Sequence, residues 1–113
     1  LSNNLYISNM KTLYWLGTSL DDLRAFPNVA RAEAGTALRL VQQGVEPRDW
    51  KPMPDVGKGV REIRIRDEAG AFRVFYVVES GDAVYVLHAF QKKTQRTSKQ
   101  DLDKGKARYK LIP

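Results

Sequence analysis

The sequence predicts an α+β fold in which a short strand and a helical hairpin precede an antiparallel meander and a last short helix. Three observations carry this. Apolar residues recur at helical spacing between Ser19 and Gly44. After Gly59 the pattern turns to period two, in three strand-like runs separated by short turns. Near the C-terminus, Ser98-Lys99-Gln100-Asp101 restores a helix-start signature. With 113 residues the chain has length for one domain around a single core.

Residues 1–9 lack an initiator Met and precede Met10-Lys11-Thr12, which has the look of a natural start. They are expected to be an extension ahead of the domain, which then spans residues 10–113. Leu13-Tyr14-Trp15-Leu16 reads as the first strand. Ser19-Leu20-Asp21-Asp22 follows the S-x-x-D capping pattern and opens a short helix with Leu20, Leu23 and Phe26 at helical spacing. Pro27 suits the first turn of a second helix and Gly44 its left-handed cap. Between them Val29, Ala32, Ala37, Leu40 and Val41 are expected to form the core-facing stripe.

From Val45 to Gly59 the prolines and glycines break any period, and this stretch is expected to be irregular, pinned by Trp50 and Met53. The meander follows in Val60–Arg66, Phe72–Glu79 and Ala83–Phe90. Asp67-Glu68-Ala69-Gly70 and Ser80-Gly81-Asp82 are short enough to join antiparallel neighbours. In the last helix Leu102, Lys106 and Tyr109 share a face, and Gly105 weakens it by roughly 1 kcal/mol relative to Ala.

Composition narrows the function. There is no cysteine, which excludes disulfides and thiolate metal sites and suits a reducing compartment. The apolar runs are too short for a bilayer span and no leader pattern is evident, so a cytoplasmic protein with no membrane partner is expected. A lone His88 without cysteine argues against a zinc site. Gly57-Lys58-Gly59 is too short for a phosphate-binding glycine loop, and no serine elbow is present. No cofactor is expected.

The net charge is +6, and its placement is uneven. In residues 1–57 the basic side chains cancel the acidic ones, so the whole excess falls in residues 58–113. A half-molecule bias of this kind creates a local field that attracts polyanions or an acidic protein. His88, Lys92, Lys93 and Arg96 follow one another where the last strand runs out into a basic tail. In Arg61-Glu62-Ile63-Arg64-Ile65-Arg66, alternation puts Arg64 and Arg66 on one face and the isoleucines on the other. Arg73 shares a face with Phe75 and Val77, and therefore emerges from a partly apolar floor.

Convergence of Arg64, Arg66 and Arg73 with Lys92 and Lys93 suits RNA cleavage by the 2′-hydroxyl. Arginine stays protonated and stabilises charge on the phosphate oxygens, but it cannot act as a base. A lysine crowded by cations has its charged form disfavoured. His88 has the ordinary pKa for acid–base work; it equally suits a satisfied, buried histidine within a strand. The arginines have their own structural alternative, charge balance against Glu62, Asp67 and Glu79.

From Met10 to about Ile112 the chain resembles the RelE-like toxins of type II toxin–antitoxin modules, in their HigB-type, phage-derived branch. The resemblance is carried by Leu20-Asp21-Asp22-Leu23 with Phe26-Pro27, by Gly44, Pro47 and Asp49-Trp50-Lys51, and by Gly59-Val60-Arg61-Glu62-Ile63-Arg64. It continues through Phe72-Arg73-Val74-Phe75-Tyr76 and, most specifically, Leu87-His88-Ala89-Phe90-Gln91-Lys92-Lys93-Thr94.

The resemblance implies a RelE-like fold, with the helix hairpin on an antiparallel-dominated sheet and the first strand beside the meander. It implies a metal-independent mRNA endonuclease acting on translating ribosomes and neutralised by a helix-turn-helix antitoxin. Arg64 and Arg73 would grip phosphate, while Lys92 or Lys93 would assist proton transfer or stabilise the transition state, with His88 a further candidate. Arg61, Arg66, Thr94, Arg96 and Lys99 would contact RNA. Some relatives place an aromatic or an acid–histidine group in the last helix; Tyr109 is the nearest counterpart, and its spacing with Leu102 favours packing. Two other functions are expected to compete, a non-catalytic toxin of this fold that inhibits DNA gyrase, and a phage-derived nucleic-acid-binding module without activity.

Overall fold

The computed structural model describes residues 10–113, and the expected extension at residues 1–9 lies outside the described residues. The chain forms β1 (Thr12–Trp15), α1 (Ser19–Arg24), α2 (Asn28–Gln42), β2 (Trp50–Pro52), β3 (Arg61–Asp67), β4 (Gly70–Glu79), β5 (Ala83–Lys92) and α3 (Lys99–Tyr109). The sheet order is β1-β5-β4-β3-β2. β1 runs parallel to β5, and the other neighbours are antiparallel. This is the expected α+β architecture, in three layers.

One layer is α1, α2 and the turn between them, where Leu23, Phe26, Ala34 and Leu38 pack on Ile63, Phe72, Val74 and Val86 of the sheet. The other is α3 with the segment around Val56, and it closes a second cluster of Phe75, Val77, Leu87 and Phe90 on the opposite face. Alternation accounts for this division, since Phe72, Val74 and Tyr76 go one way and Arg73, Phe75 and Val77 the other. Each fully buried aliphatic or aromatic side chain contributes about 1.5–3 kcal/mol by leaving water.

Several local expectations hold. Ser98 caps α3, its Oγ accepting from the Asp101 N–H at 3.1 Å. Gly44, at φ +79°, ends α2 in a Schellman motif: its N–H donates to Val41 O, and the next N–H, of Val45, donates to Leu40 O. Glu68-Ala69 is a two-residue turn, with the Ala69 N–H donating to Asp67 Oδ1 at 2.7 Å.

Others are corrected. Ser19 is not a helix cap; it is buried inside α1, its Oγ donating to Val86 O at 3.1 Å, and Thr18 takes the cap position. The core stripe of α2 is Ala30, Ala34, Leu38 and Val41, while Val29 is 58 % exposed. Small alanines let the helix sit close to the sheet, and α2 carries apolar residues on two sides, so spacing alone does not choose between them. The segment expected to be irregular contains β2, with Trp50 under the Arg61 guanidinium at 4.0 Å from its ring centroid. Gly105 is buried because α3 crosses the sheet closely: a Cβ there would lie 2.9 Å from Phe75 and Val56.

Candidate functional site

The strands arrange the cationic side chains in cross-strand rows on the face that also carries α3. Arg66, Ala71 and Lys92 lie side by side in one row. Arg64, Arg73 and Phe90 form the next, followed by Lys51, Glu62, Phe75 and His88. Arg66 and Lys92 are two strand spacings apart, about 10 Å at the backbone. The small Ala71 separates them, so the long cations rise on either side of a low centre.

Arg64, Arg66 and Lys51 are exposed, and Lys92 is half-buried at the end of β5. Beneath them Arg73 is only 4 % exposed, and its Nη1 donates to Phe72 O at 3.0 Å. Its Nε lies 3.5 Å from Glu62 Oε1, and Glu62 is itself 1 % exposed. Neither Arg73 Nε nor Glu62 Oε2 has a hydrogen-bond partner among the described residues. Burial lowers the Arg73 pKa, Glu62 opposes this, and Arg64 and Arg66 add to it. Lys92 is also held below the usual lysine value, by desolvation first and then by Arg73, with Glu62 opposing. A cation with an eased proton thus borders a buried ion pair.

His88 occupies a different environment. A bulge at Leu87, where Phe75 pairs with His88 but Tyr76 pairs with Val86, sends two consecutive side chains toward α3. His88 is 2 % exposed, stacked on Phe90 at 4.7 Å. Its Nε2 lies 2.8 Å from Asp101 Oδ1, and Arg108 Nη1 lies 3.4 Å from its Nδ1. Those partners assign the neutral tautomer with the proton on Nε2. Burial lowers the His88 pKa, and the bond to Asp101 opposes it. Arg108 also donates to Leu87 O and Thr18 Oγ1, tying α3 to the sheet and to the start of α1.

The structure therefore brings Arg64, Arg66, Arg73 and Lys92 together. Arg61 lies on the opposite face of β3, over Trp50 and 3.7 Å from Glu46. Lys93, Thr94 and Arg96 follow β5 in an exposed loop, where Thr94 Oγ1 bonds Arg96 O. Lys99 is on α3, its charge paired with Asp103 at 2.7 Å. Tyr109 packs in the second cluster, its OH donating to Lys58 O at 3.1 Å.

Charge balance against Glu62, the alternative that the sequence offers for the arginines, is what the structure shows for Arg73, but in the interior. The sequence marks Lys51 only within a family segment and Asp101 only as part of a helix start, and gives no sign of Arg108. Alternation in Arg61–Arg66 does place Glu62 with Arg64 and Arg66, an acid between two cations on one face, and that was its signal. Lys51 had no strand signal, because β2 is only three residues long. No helix of the described residues is long and apolar enough to cross a membrane.

No curated protein matches the chain in sequence. Among solved structures, one similar chain occurs in the crystal structure of the toxin–antitoxin complex RelBE2 from Mycobacterium tuberculosis, at 20 % identity and a TM-score of 0.48, covering 73 % of this chain and 98 % of that one. The family described as phage-derived, Gp49-like proteins (DUF891) matches residues 21–110, nearly the whole domain. With that span, and with the α+β sheet that carries its basic face, the chain belongs to the Gp49-like family of phage-derived proteins.

Proposed function

We propose that this protein is the toxin of a type II toxin–antitoxin module, an endoribonuclease that cuts mRNA on the ribosome and stops translation. The observation that carries the reading is the row Arg66–Ala71–Lys92 above the buried Arg73. A phosphodiester laid across Ala71 has a cation on each side, with the buried Arg73–Glu62 pair in and beside the neighbouring row. The HigB-type resemblance of the Leu87–Thr94 segment supports the same assignment.

In this reading the 2′-oxygen attacks the adjacent phosphorus and the bond to the 5′-oxygen breaks, leaving a 2′,3′-cyclic phosphate and a 5′-hydroxyl. The 2′-hydroxyl proton passes to Lys92 in its neutral form, and the 5′-oxygen takes a proton from solvent water as it leaves. Arg64 and Arg66 hold the phosphate oxygens and stabilise their added charge. The buried Arg73–Glu62 pair underlies the site, with Arg73 favouring the neutral form of Lys92 and Glu62 opposing it, and Lys93, Thr94 and Arg96 follow the RNA strand away from the cut. His88, buried and bonded on both ring nitrogens, holds α3 in place in this reading.

The test is primer extension on a defined mRNA in a translating extract, comparing wild type with Arg66→Ala and Lys92→Ala. Discrete cuts that fade in both variants support the assignment. Cuts that persist in both remove it while keeping the nuclease, and an intact message with arrested growth would instead point to gyrase.

A further inference from the structure

β5 loses its neighbour partway along. β1 ends at Trp15 opposite Val86, and past Leu16, whose N–H donates to Val86 O, no strand of the described residues borders β5 on that side. α1 takes over there, with Ser19 Oγ donating to the same Val86 O. Beyond it a pocket of about 340 Å³ opens over Ala89–Gln91, between the end of α1 and the first turns of α3. That volume is at the small end of ligand sites, which run from about 300 to 1,000 Å³. Asp22 and Ala25 close one end of the edge, so the pocket suits a single planar group rather than an added strand.

The charges around it are mixed. Asp22 faces the pocket from α1, and Asp101 and Lys104 face it from α3. Asp101 is bonded to His88 and Ser98, whereas Asp22 Oδ2 accepts only from Thr18 Oγ1, at 2.6 Å. Neither Asp22 nor Lys104 has an ion-pair partner among the described residues. Carboxylate acceptors and an ammonium donor thus meet at one site. A phosphate, which only accepts, would face two negative charges; a guanidinium, which only donates, would face Lys104. The edge of a nucleobase carries donors and acceptors together, and carboxylates accept from an exocyclic amine such as cytosine N4. Phe26, Pro27 and Phe90 add apolar walls for the flat face of a base. Lys92 is the next residue of β5 after the pocket, so the two sites adjoin.

We propose that this pocket holds one unpaired RNA base bearing an exocyclic amine, beside the scissile phosphate. The amine donates to Asp22, and a ring nitrogen or carbonyl of the base accepts from Lys104. RNA as the ligand rests on the reading above. On that reading the strand passes from the pocket to the cradle at Lys92 and on along Lys93, Thr94 and Arg96. The pocket then sets which nucleotide flanks the cut, and uracil, without an exocyclic amine, leaves Asp22 unanswered.

The experiment is fluorescence-anisotropy titration of the full chain with uncleavable 2′-O-methyl oligouridylates carrying one central adenosine, cytidine or guanosine, or none. Wild type is compared with Asp22→Asn, Lys104→Met and Arg66→Ala. Wild type is expected to bind the best amine-bearing oligonucleotide about tenfold or more tighter than the all-uridine one. Asp22→Asn and Lys104→Met should each cut that preference to about threefold or less. Arg66→Ala should weaken all the oligonucleotides alike and keep the preference. Lys104 is exposed, so Lys104→Met leaves folding intact even where Asp22→Asn does not. Equal affinity of wild type for every oligonucleotide overturns the pocket and keeps the RNA reading. A preference that survives in Lys104→Met and in a folded Asp22→Asn also overturns it and places base readout elsewhere. No binding of any oligonucleotide removes the RNA reading and, with it, the ligand of the pocket.

Discussion

Glu62 Oε1 lies 3.5 Å from Arg73 Nε with both side chains buried, and this ion pair forms the base of the cationic face. A guanidinium at this depth needs a counter-charge, and Glu62 supplies it among Lys51, Arg64 and Lys92. Removing one member strands the other without solvent. Glu62→Ala is therefore expected to lose about 3–5 kcal/mol of stability, measured by denaturant unfolding. Replacing both with apolar residues of similar volume should recover most of that loss, since neither charge then remains unpaired. Cleavage should not return in the double variant, because Arg73 no longer helps to lower the Lys92 pKa.

The cationic rows predict which arginines RNA senses. Arg64→Ala and Arg66→Ala should each lower the salt dependence of single-stranded RNA binding by about 0.7 in log–log slope. Arg61→Ala, on the other face, should leave the slope unchanged. Filter binding at a series of salt concentrations separates them, and an equal loss from Arg61→Ala would sink the assignment of a face.

Lys92 is expected to act through its proton as well as its charge. Lys92→Arg keeps the cation but cannot give it up near neutral pH. RNA affinity should stay close to wild type while cleavage falls about a hundredfold or more. In wild type the cleavage rate should rise with pH toward the lowered Lys92 pKa, and this rise should vanish in Lys92→Arg. A single-turnover pH profile of both proteins reads the difference.

Acid should destabilise the fold through His88. Burial places its folded pKa below the unfolded value of about 6.5, so the neutral form is favoured in the native state. Its contribution is complete above that value and declines as pH falls through 6.5 toward the folded pKa. Protonation would add a hydrogen at Nδ1, facing Arg108, with Lys104 also nearby in charge; Asp101 alone favours it. Thermal melts between pH 7.5 and 5 should show the midpoint falling. A rising midpoint over that window would mean that Asp101 outweighs burial.

Gly105 offers a test in which local and tertiary effects have opposite signs. By helix propensity, Gly105→Ala would stabilise α3 by about 1 kcal/mol. The new Cβ would meet Phe75 and Val56 at 2.9 Å, both in the second core cluster. Overpacking of this kind costs about 1–3 kcal/mol. Net destabilisation in a chemical melt is the expected outcome, and a more stable variant would mean that α3 sits further from the sheet.

Much of the molecule was legible from spacing. Period two in Arg61–Arg66 separates Ile63 and Ile65 from Arg64 and Arg66, because a strand turns successive side chains to opposite faces. The terminal cap at Ser98 and the left-handed Gly44 were equally readable, since both satisfy orphan backbone groups at helix ends within a few residues. These are local effects. β2 was not legible: three residues containing Pro52 acquire strand geometry only when β3 is beside them.

By itself the sequence determined the α+β class, the meander and the face on which Arg64 and Arg66 stand, all consequences of backbone periodicity and local chemistry. Tertiary structure decided what lies across from what. Sheet register aligned Arg66 with Ala71 and Lys92, and it buried Arg73 on Glu62. The bulge at Leu87 turned His88 to Asp101, and close helix–sheet packing chose Ala30 and Ala34 over Val29 for the core. Those outcomes depend on pairings between residues far apart in the chain, whose energies no local pattern contains.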